Sequence, residues 1–289
     1  MQLDIFEHSR DVMLRNAVIE ALRRGDASAG EAAVVALATE YPADPLLPDM
    51  AELCRRLRAS PLPDDLAPTE AATLFRETEE RFEPAARRVL GAAADAWLAP
   101  LWRELARAIA GLPFDPRSET LHAARVWMRS GDWQAAVASI EAIPSWRRQP
   151  APLSWMIEAR FHVDGIAAVW PLIAELAWMA PWRVELLLPQ LPAAQLARWV
   201  RRFETQFDGS DAQDGFAWFP AWLLLEDGRF AEQLKLAEKG SATPPELCAR
   251  LIMTLLALER QGRHAELVEN RRRLRDTSGA LFALYMQNR

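Results

Sequence analysis

The sequence predicts an all-α protein. Apolar residues recur at every third or fourth position through most of its length, as in "SRDVMLRNAVIEALRR", and this is the spacing of amphipathic helices. Most of these segments stop at a glycine or a proline, as helices commonly do. Alternating apolar and polar runs rich in Val, Ile and Thr, which would indicate strands, are essentially missing.

Three helices are expected in the N-terminal segment, residues 1–58. Ser9 is placed to cap the first of them and Gly25 to end it. Pro42 closes the second helix, because proline cannot continue the backbone hydrogen-bond pattern. The expected spans are 9–24, 28–41 and 48–58.

The segment "ASPLPDDLAP", residues 59–68, holds three prolines and no helical periodicity, which predicts a linker. We place a subdomain boundary there, followed by connecting helices in residues 69–116 and a longer helical region in residues 117–289. The helical patterns beyond the linker lie at 69–81, 84–110 (interrupted or bent near Gly91 and Pro100), 117–130, 133–143, 151–163, 166–179, 181–189, 192–206, 214–227, 229–239, 244–261, 263–275 and 279–287.

Composition and charge limit the functions that are open to the chain. With 51% hydrophobic and 26% charged residues it has the composition of a folded soluble protein, and no apolar run approaches the roughly 20 residues that span a bilayer. The start, "MQLDIFEHSRD", is acidic where an export signal is basic, so we expect a cytoplasmic protein. The net charge of -6 argues against nucleic acid as a partner.

Glycine-centred turns between helical segments recur at regular distances. Gly131 and Gly165 are 34 residues apart, and so are Gly228 and Gly262. In "RSGDWQAAVASIEAIP", residues 129–144, a glycine is followed by an aromatic residue and then by a small one.

This stretch resembles the turn and second helix of the tetratricopeptide repeat, whose period is also 34 residues. Gly131, Trp133 and Ala136 match the family's turn, aromatic and small positions, while Ala123, Ala124 and Trp127 fall at those of its first helix. The resemblance is best over residues 117–144 and weaker to about residue 275, because Trp170, Gln233 and Leu267 stand where Ala136 does. It implies a right-handed superhelix of antiparallel helix hairpins, a TPR-like α-solenoid.

The resemblance also implies a non-catalytic scaffold that binds a protein or peptide on a concave surface. Twelve tryptophans against two tyrosines are unusual, and we expect most of them to fill the space between hairpins. Aligning Gly228 with Gly131 places some of them on the inner surface beside arginines, which suits a peptide with acidic and apolar side chains. The predicted groove residues are Arg125, Arg129, Trp155, Trp218 and Trp222.

Residue patterns that would carry chemistry are missing from the sequence. No histidine has another histidine or a cysteine three to five residues away, and no phosphate-binding glycine loop or nucleophile elbow is present. We therefore expect no enzyme, no metal and no cofactor, and we expect Cys54 and Cys248 to be buried thiols. Two alternatives stay open: a regulatory protein with a small molecule in a Trp-lined cavity, and a helical enzyme using His122 or His162.

The C-terminal segment is apolar nearly all round. After a basic cluster at residues 271–275, "GALFALYM" places five large apolar side chains in one short helix, which cannot be left in water. It either folds back to cap the last repeat or forms a homodimer interface.

Overall fold

The computed structural model describes residues 3–207, 215–240 and 242–287, and the regular structure within these ranges is helical. The all-α prediction is therefore confirmed. The chain divides into two compact units, Met1–Ser139 and Ile140–Arg289. This division is not at the predicted linker, and it lies inside the segment that resembles the tetratricopeptide repeat.

The N-terminal unit starts with two helices that pack against each other across a tight turn. Gly25 takes the left-handed conformation, with φ 68°, and Asp26 caps the second helix by accepting a hydrogen bond from the Ala29 N–H. The first helix begins at Leu3, so the prediction that Ser9 caps it is wrong. The helices of this unit are α1 Leu3–Arg24, α2 Ala27–Glu40, α3 Leu47–Arg58, α4 Pro68–Glu77, α5 Glu83–Leu90, α6 Ala94–Ala108 and α7 Ala123–Arg129.

The predicted linker is irregular over residues 59–67, but it does not separate two subdomains. The Leu62 N–H donates to the Glu104 carboxylate at 2.6 Å, and the Leu66 N–H donates to the Ala108 carbonyl at 3.1 Å. Leu66 is buried in the same core that takes in side chains from α1 and α7. The prolines prevent a helix here without freeing the segment from the core.

A predicted break near residue 82 is a π-helical turn instead. Helices α4 and α5 run into each other through Thr78–Phe82, which has π geometry. Pro84 sits in the first turn of α5 and has no N–H to donate, and a π turn is one way in which a helix accommodates such a residue. The predicted interruption at Gly91 is confirmed, since Gly91 has φ 54° and starts a 3₁₀ turn. No interruption occurs at Pro100, which lies inside α6.

The C-terminal unit contains two pairs of packed helices joined by left-handed glycines. Gly165 and Gly262 have φ of 81° and 67°, and each ends the first helix of its pair. Helix α8, Trp133–Glu141, spans the division between the units. The helices that follow are α9 Pro150–Asp164, α10 Ile166–Met179, α11 Pro181–Leu187, α12 Ala194–Gln206, α13 Phe219–Glu226, α14 Phe230–Leu234, α15 Pro244–Gln261, α16 His264–Thr277 and α17 Gly279–Gln287.

The C-terminal helix α17 packs against α13 and α16 of the same unit. Leu281 and Tyr285 are fully buried there, and the Tyr285 hydroxyl donates a hydrogen bond to Glu259 of α15. The Arg271 guanidinium of α16 donates to the same hydroxyl oxygen at 3.1 Å. The segment thus folds back on its own chain, which is the first of the two alternatives expected for it.

Candidate functional site

The five predicted groove residues fall in two different units. Arg125 and Arg129 lie on α7 of the N-terminal unit, and the three tryptophans lie in the C-terminal unit. Arg129 donates to Glu79 and Glu83 at 3.0 and 2.7 Å, and its guanidinium lies 5.2 Å from the centre of the Trp102 ring. Its charge is therefore matched within the N-terminal unit.

Two of the predicted groove tryptophans are core residues. Trp155 is 4% exposed and Trp222 is 1% exposed, so neither ring is open to a partner, which corrects their placement on a groove surface. Trp222 packs against Phe203 and Phe219, with ring centres 5.5 and 6.0 Å away. Trp218 is half-buried in a 3₁₀ turn, Gly215–Trp218, that precedes α13. The alignment that placed Trp218 and Trp222 matched Gly228 to Gly131, but Gly228 lacks the positive φ of Gly131.

The C-terminal unit instead has a cleft of about 350 Å³ that sequence reasoning missed. Three segments form its walls: the 3₁₀ turn Trp146–Arg148, the end of α10 and the chain after α14. The residues that line it are Arg147, Arg148, Glu175, Trp178, Met179, Glu238, Lys239 and Gly240.

A buried carboxylate, Glu175, holds two of these walls together. Its side chain is 6% exposed and accepts two hydrogen bonds from Arg147, at 2.7 and 2.5 Å. It also accepts from the Glu238 backbone N–H at 2.7 Å, while Arg147 donates to the Leu236 carbonyl at 3.0 Å. The bonded carboxylate raises the pKa of Arg147, so the guanidinium stays charged in this contact.

A second buried carboxylate, Glu246, holds the later part of the wall that is formed by the chain after α14. It lies in the first turn of α15, is 2% exposed and accepts from Arg250 at 2.7 Å. The backbone N–H groups of Gly240 and Ala242 each donate to it at 3.1 Å. Arg250 also lies over the Trp178 ring, 5.4 Å from its centre. The chain after α14 is thus tied down at both ends of the cleft.

The floor of the cleft is apolar, and it contains one buried polar group that has no hydrogen-bond partner among the described residues. Trp178 is only 7% exposed, and its buried indole Nε1–H has no hydrogen-bond acceptor among the described residues. Met179, next to it in the chain, is 40% exposed. Arg148 and Lys239 are exposed cations that form no ion pair within the described part of the chain. Such a site can hold an anion that carries an apolar group.

Unusual backbone conformations occur next to this cleft. Within the described ranges, Ser145 and Ala242 are the two non-glycine residues with positive φ, at 54° and 51°. Ser145 starts the turn that presents Arg147 and Arg148, and the Ala242 N–H is held by Glu246. A left-handed non-glycine residue costs on the order of 1 kcal/mol, and such residues are often found at ligand sites.

One signal of this site was present in the sequence. Glu175 is the single charged residue in the α10 sequence "IAAVWPLIAELAWM". A carboxylate in a helix that is apolar on every side must find a cation and hydrogen-bond donors, since burying it alone is costly. Its partner Arg147 is 28 residues away, and no local pattern connects the two.

His122 and His162, the two residues of the enzyme alternative, both contact other residues of the fold. His122 is buried and caps α7, because its Nδ1 accepts a hydrogen bond from the Ala124 N–H at 3.2 Å. Burial lowers the pKa of His122, which favours its neutral form. His162 lies on α9 with its ring 5.6 Å from that of Phe161.

Burial raises the pKa of Cys54 to about 11 and that of Cys248 to about 12, so both thiols stay protonated.

Comparison with protein-family models, curated proteins and solved structures gave no match to this chain. Within the described residues, no helix is both long and apolar enough to cross a membrane. In the same residues, no group of three or more His, Cys, Asp or Glu side chains is arranged to hold a metal ion. The interpretation of the chain therefore depends on its own residues and on the geometry of the cleft.

Proposed function

We propose that this protein is a non-catalytic scaffold that binds a protein or peptide, and that the cleft of the C-terminal unit is its binding site. One observation carries the proposal. The cleft combines an apolar floor, Trp178 and Met179, with two exposed cations, Arg148 and Lys239, that lack counterions in the described part of the chain. Aromatic, methionine and arginine side chains are enriched at protein interfaces.

The way in which the walls are held supports binding over a purely structural role. Glu175 and Glu246 fix the chain after α14 through five charged or backbone donors, and neither carboxylate is exposed. A site that is rigid before the partner arrives loses little conformational entropy on binding. The residues with positive φ, Ser145 and Ala242, fit the same interpretation, because such conformations are often found at ligand sites.

We further propose that the helix pairs belong to a TPR-like, right-handed superhelix. The left-handed glycines Gly25, Gly131, Gly165 and Gly262 support it, because each follows a helix in a short turn. The packing of α9 on α10 and of α15 on α16 gives further support within one unit. A cytoplasmic location is part of the same proposal.

A site-specific cross-link tests the proposed function. A photoreactive amino acid replaces Met179 in the cleft, and in a control protein it replaces Val268, which is 68% exposed and outside the cleft. We expect a covalent adduct with a polypeptide from position 179 alone when the full chain is irradiated in its source cells. Equal adducts from both positions, or none from position 179, would contradict peptide binding in the cleft.

The volume of the cleft favours one second candidate, a small regulatory molecule. About 350 Å³ lies within the range of small-molecule sites, and a tryptophan lines the cleft. Native mass spectrometry of the purified full chain separates the two functions. A retained adduct of a few hundred daltons that is lost from Met179→Glu supports the small molecule, whereas a cross-linked polypeptide supports the scaffold.

A further inference from the structure

An exposed apolar helix face follows the cleft residue Met179 in the chain. Trp182 and Leu186 are 52% and 60% exposed, and both lie on α11. Because they are four residues apart, they share one face of the helix. The cleft residue Met179 is three residues before Trp182, and only Ala180 separates it from the start of α11. Three exposed apolar side chains thus follow one another along a short stretch of chain.

The charge of the cleft is opposite to that of the whole protein. Three cations and two carboxylates line the cleft, although the chain carries a net charge of -6. The two carboxylates, Glu175 and Glu238, both lie against Arg147, at 2.5 and 3.5 Å. Arg148 and Lys239 remain without a counterion among the described residues. The buried Trp178 Nε1–H also lacks an acceptor there.

We propose, resting on the scaffold function above, that the partner is an acidic amphipathic peptide segment. One of its carboxylates enters the cleft between Arg148 and Lys239, and its apolar side chains cover Trp182 and Leu186 on α11. Each part of the surface then gains what it lacks: the two cations gain a counterion and the apolar face gains cover. A carboxylate hydrogen-bonded to two cations is among the stronger contacts that proteins make.

Defined peptides test this assignment. The probe is a fluorescent peptide of leucine, glutamate and alanine, with leucines at every third and fourth position so that they share one helix face. Its control has every glutamate replaced by glutamine. Fluorescence anisotropy with the full chain is expected to give binding of the acidic peptide that is at least about tenfold tighter than that of the control, which corresponds to one charge-assisted contact.

Matched variants of the protein locate the contact. The double variant Arg148→Gln, Lys239→Gln is expected to weaken binding of the acidic peptide about tenfold and to leave the control peptide unchanged. Trp182→Ala is expected to weaken both peptides alike, because it removes apolar contact. The control double variant Arg263→Gln, Arg272→Gln removes two exposed arginines outside the cleft and is expected to keep wild-type affinity.

The outcomes separate this inference from the function on which it rests. Equal binding of the acidic and glutamine peptides, with loss in Met179→Glu, would overturn the acidic partner and keep the scaffold. Equal weakening by both double variants would show nonspecific charge attraction and also overturn it. If neither peptide binds and position 179 gives no polypeptide adduct, both proposals fail.

Discussion

Arg147 and Glu175 form a two-point contact across the cleft wall, with hydrogen bonds of 2.7 and 2.5 Å to a carboxylate that is 6% exposed. The arginine comes from a 3₁₀ turn and the glutamate from an otherwise apolar helix. The same carboxylate takes a third hydrogen bond from the Glu238 N–H. One buried charge therefore determines where three separate segments meet, and the cations of the cleft depend on it for their position.

Arg147→Met should destabilise the protein by about 3 kcal/mol, since it leaves a buried carboxylate without its counterion. Urea denaturation of the full chain measures the change. The control is Arg148→Met, which alters the exposed neighbour and should shift stability by less than about 0.5 kcal/mol. Equal unfolding midpoints for the two variants would show that Glu175 does not need Arg147.

Trp222→Ala and Trp182→Ala should have opposite consequences. The Trp222 side chain is 1% exposed and is surrounded by aromatic rings. Removing the indole leaves a cavity and should lower the free energy of unfolding by about 3 to 5 kcal/mol. Trp182 is 52% exposed, so its loss should cost less than about 1 kcal/mol and act on peptide affinity instead. Thermal melts and fluorescence anisotropy on both variants test the contrast. A Trp222→Ala protein as stable as the wild type would contradict the assignment of Trp222 to the core.

Most helices could be predicted from the sequence, because their signals are local. Gly165 and Gly262 end helices close to their expected ends, and α10 and α17 have the expected bounds, 166–179 and 279–287. The π turn at Thr78–Phe82 could not be predicted, since Pro84 indicates a break as readily as a distortion. Residue 214, where one predicted helix begins, lies outside the described ranges.

The candidate site could not be predicted, because its contacts join residues that are far apart in the chain. Glu175 meets Arg147 from 28 residues away and the Glu238 N–H from 63 residues away. The predicted groove failed for a related reason. A tryptophan on a helix looks the same in sequence whether it faces a partner or, like Trp222, a neighbouring helix of the same unit.

Ala136→Glu should strongly destabilise the protein, because Ala136 has no exposed surface and a carboxylate there would lose its hydration. We expect a loss of at least about 3 kcal/mol by urea denaturation. The control Gln134→Glu places the same charge at an exposed position of α8, two residues away, and should change stability by less than about 0.5 kcal/mol. Similar urea midpoints for the two variants would contradict close packing at Ala136.

Ser145→Gly should stabilise the protein by about 1 kcal/mol, since glycine adopts the left-handed φ of 54° without steric cost. The control Ser154→Gly makes the same change inside α9 and should destabilise by up to about 1 kcal/mol. Differential scanning calorimetry measures both. If Ser145→Gly lowers the melting temperature, the serine side chain contributes more than its conformation costs.

Acid should weaken the protein through His122, which burial keeps neutral in the folded state by lowering its pKa. Above the unfolded value of about 6.5, both states carry a neutral imidazole and the native contact is intact. As the pH falls below about 6.5, the unfolded chain takes up a proton that the folded chain resists, so stability declines. His122→Asn keeps an acceptor for the Ala124 N–H and removes the titration, so its urea midpoint should fall less than that of the wild type between about pH 7.5 and pH 5.5. If the urea midpoint of His122→Asn falls with pH as steeply as that of the wild type, other groups cause the acid sensitivity.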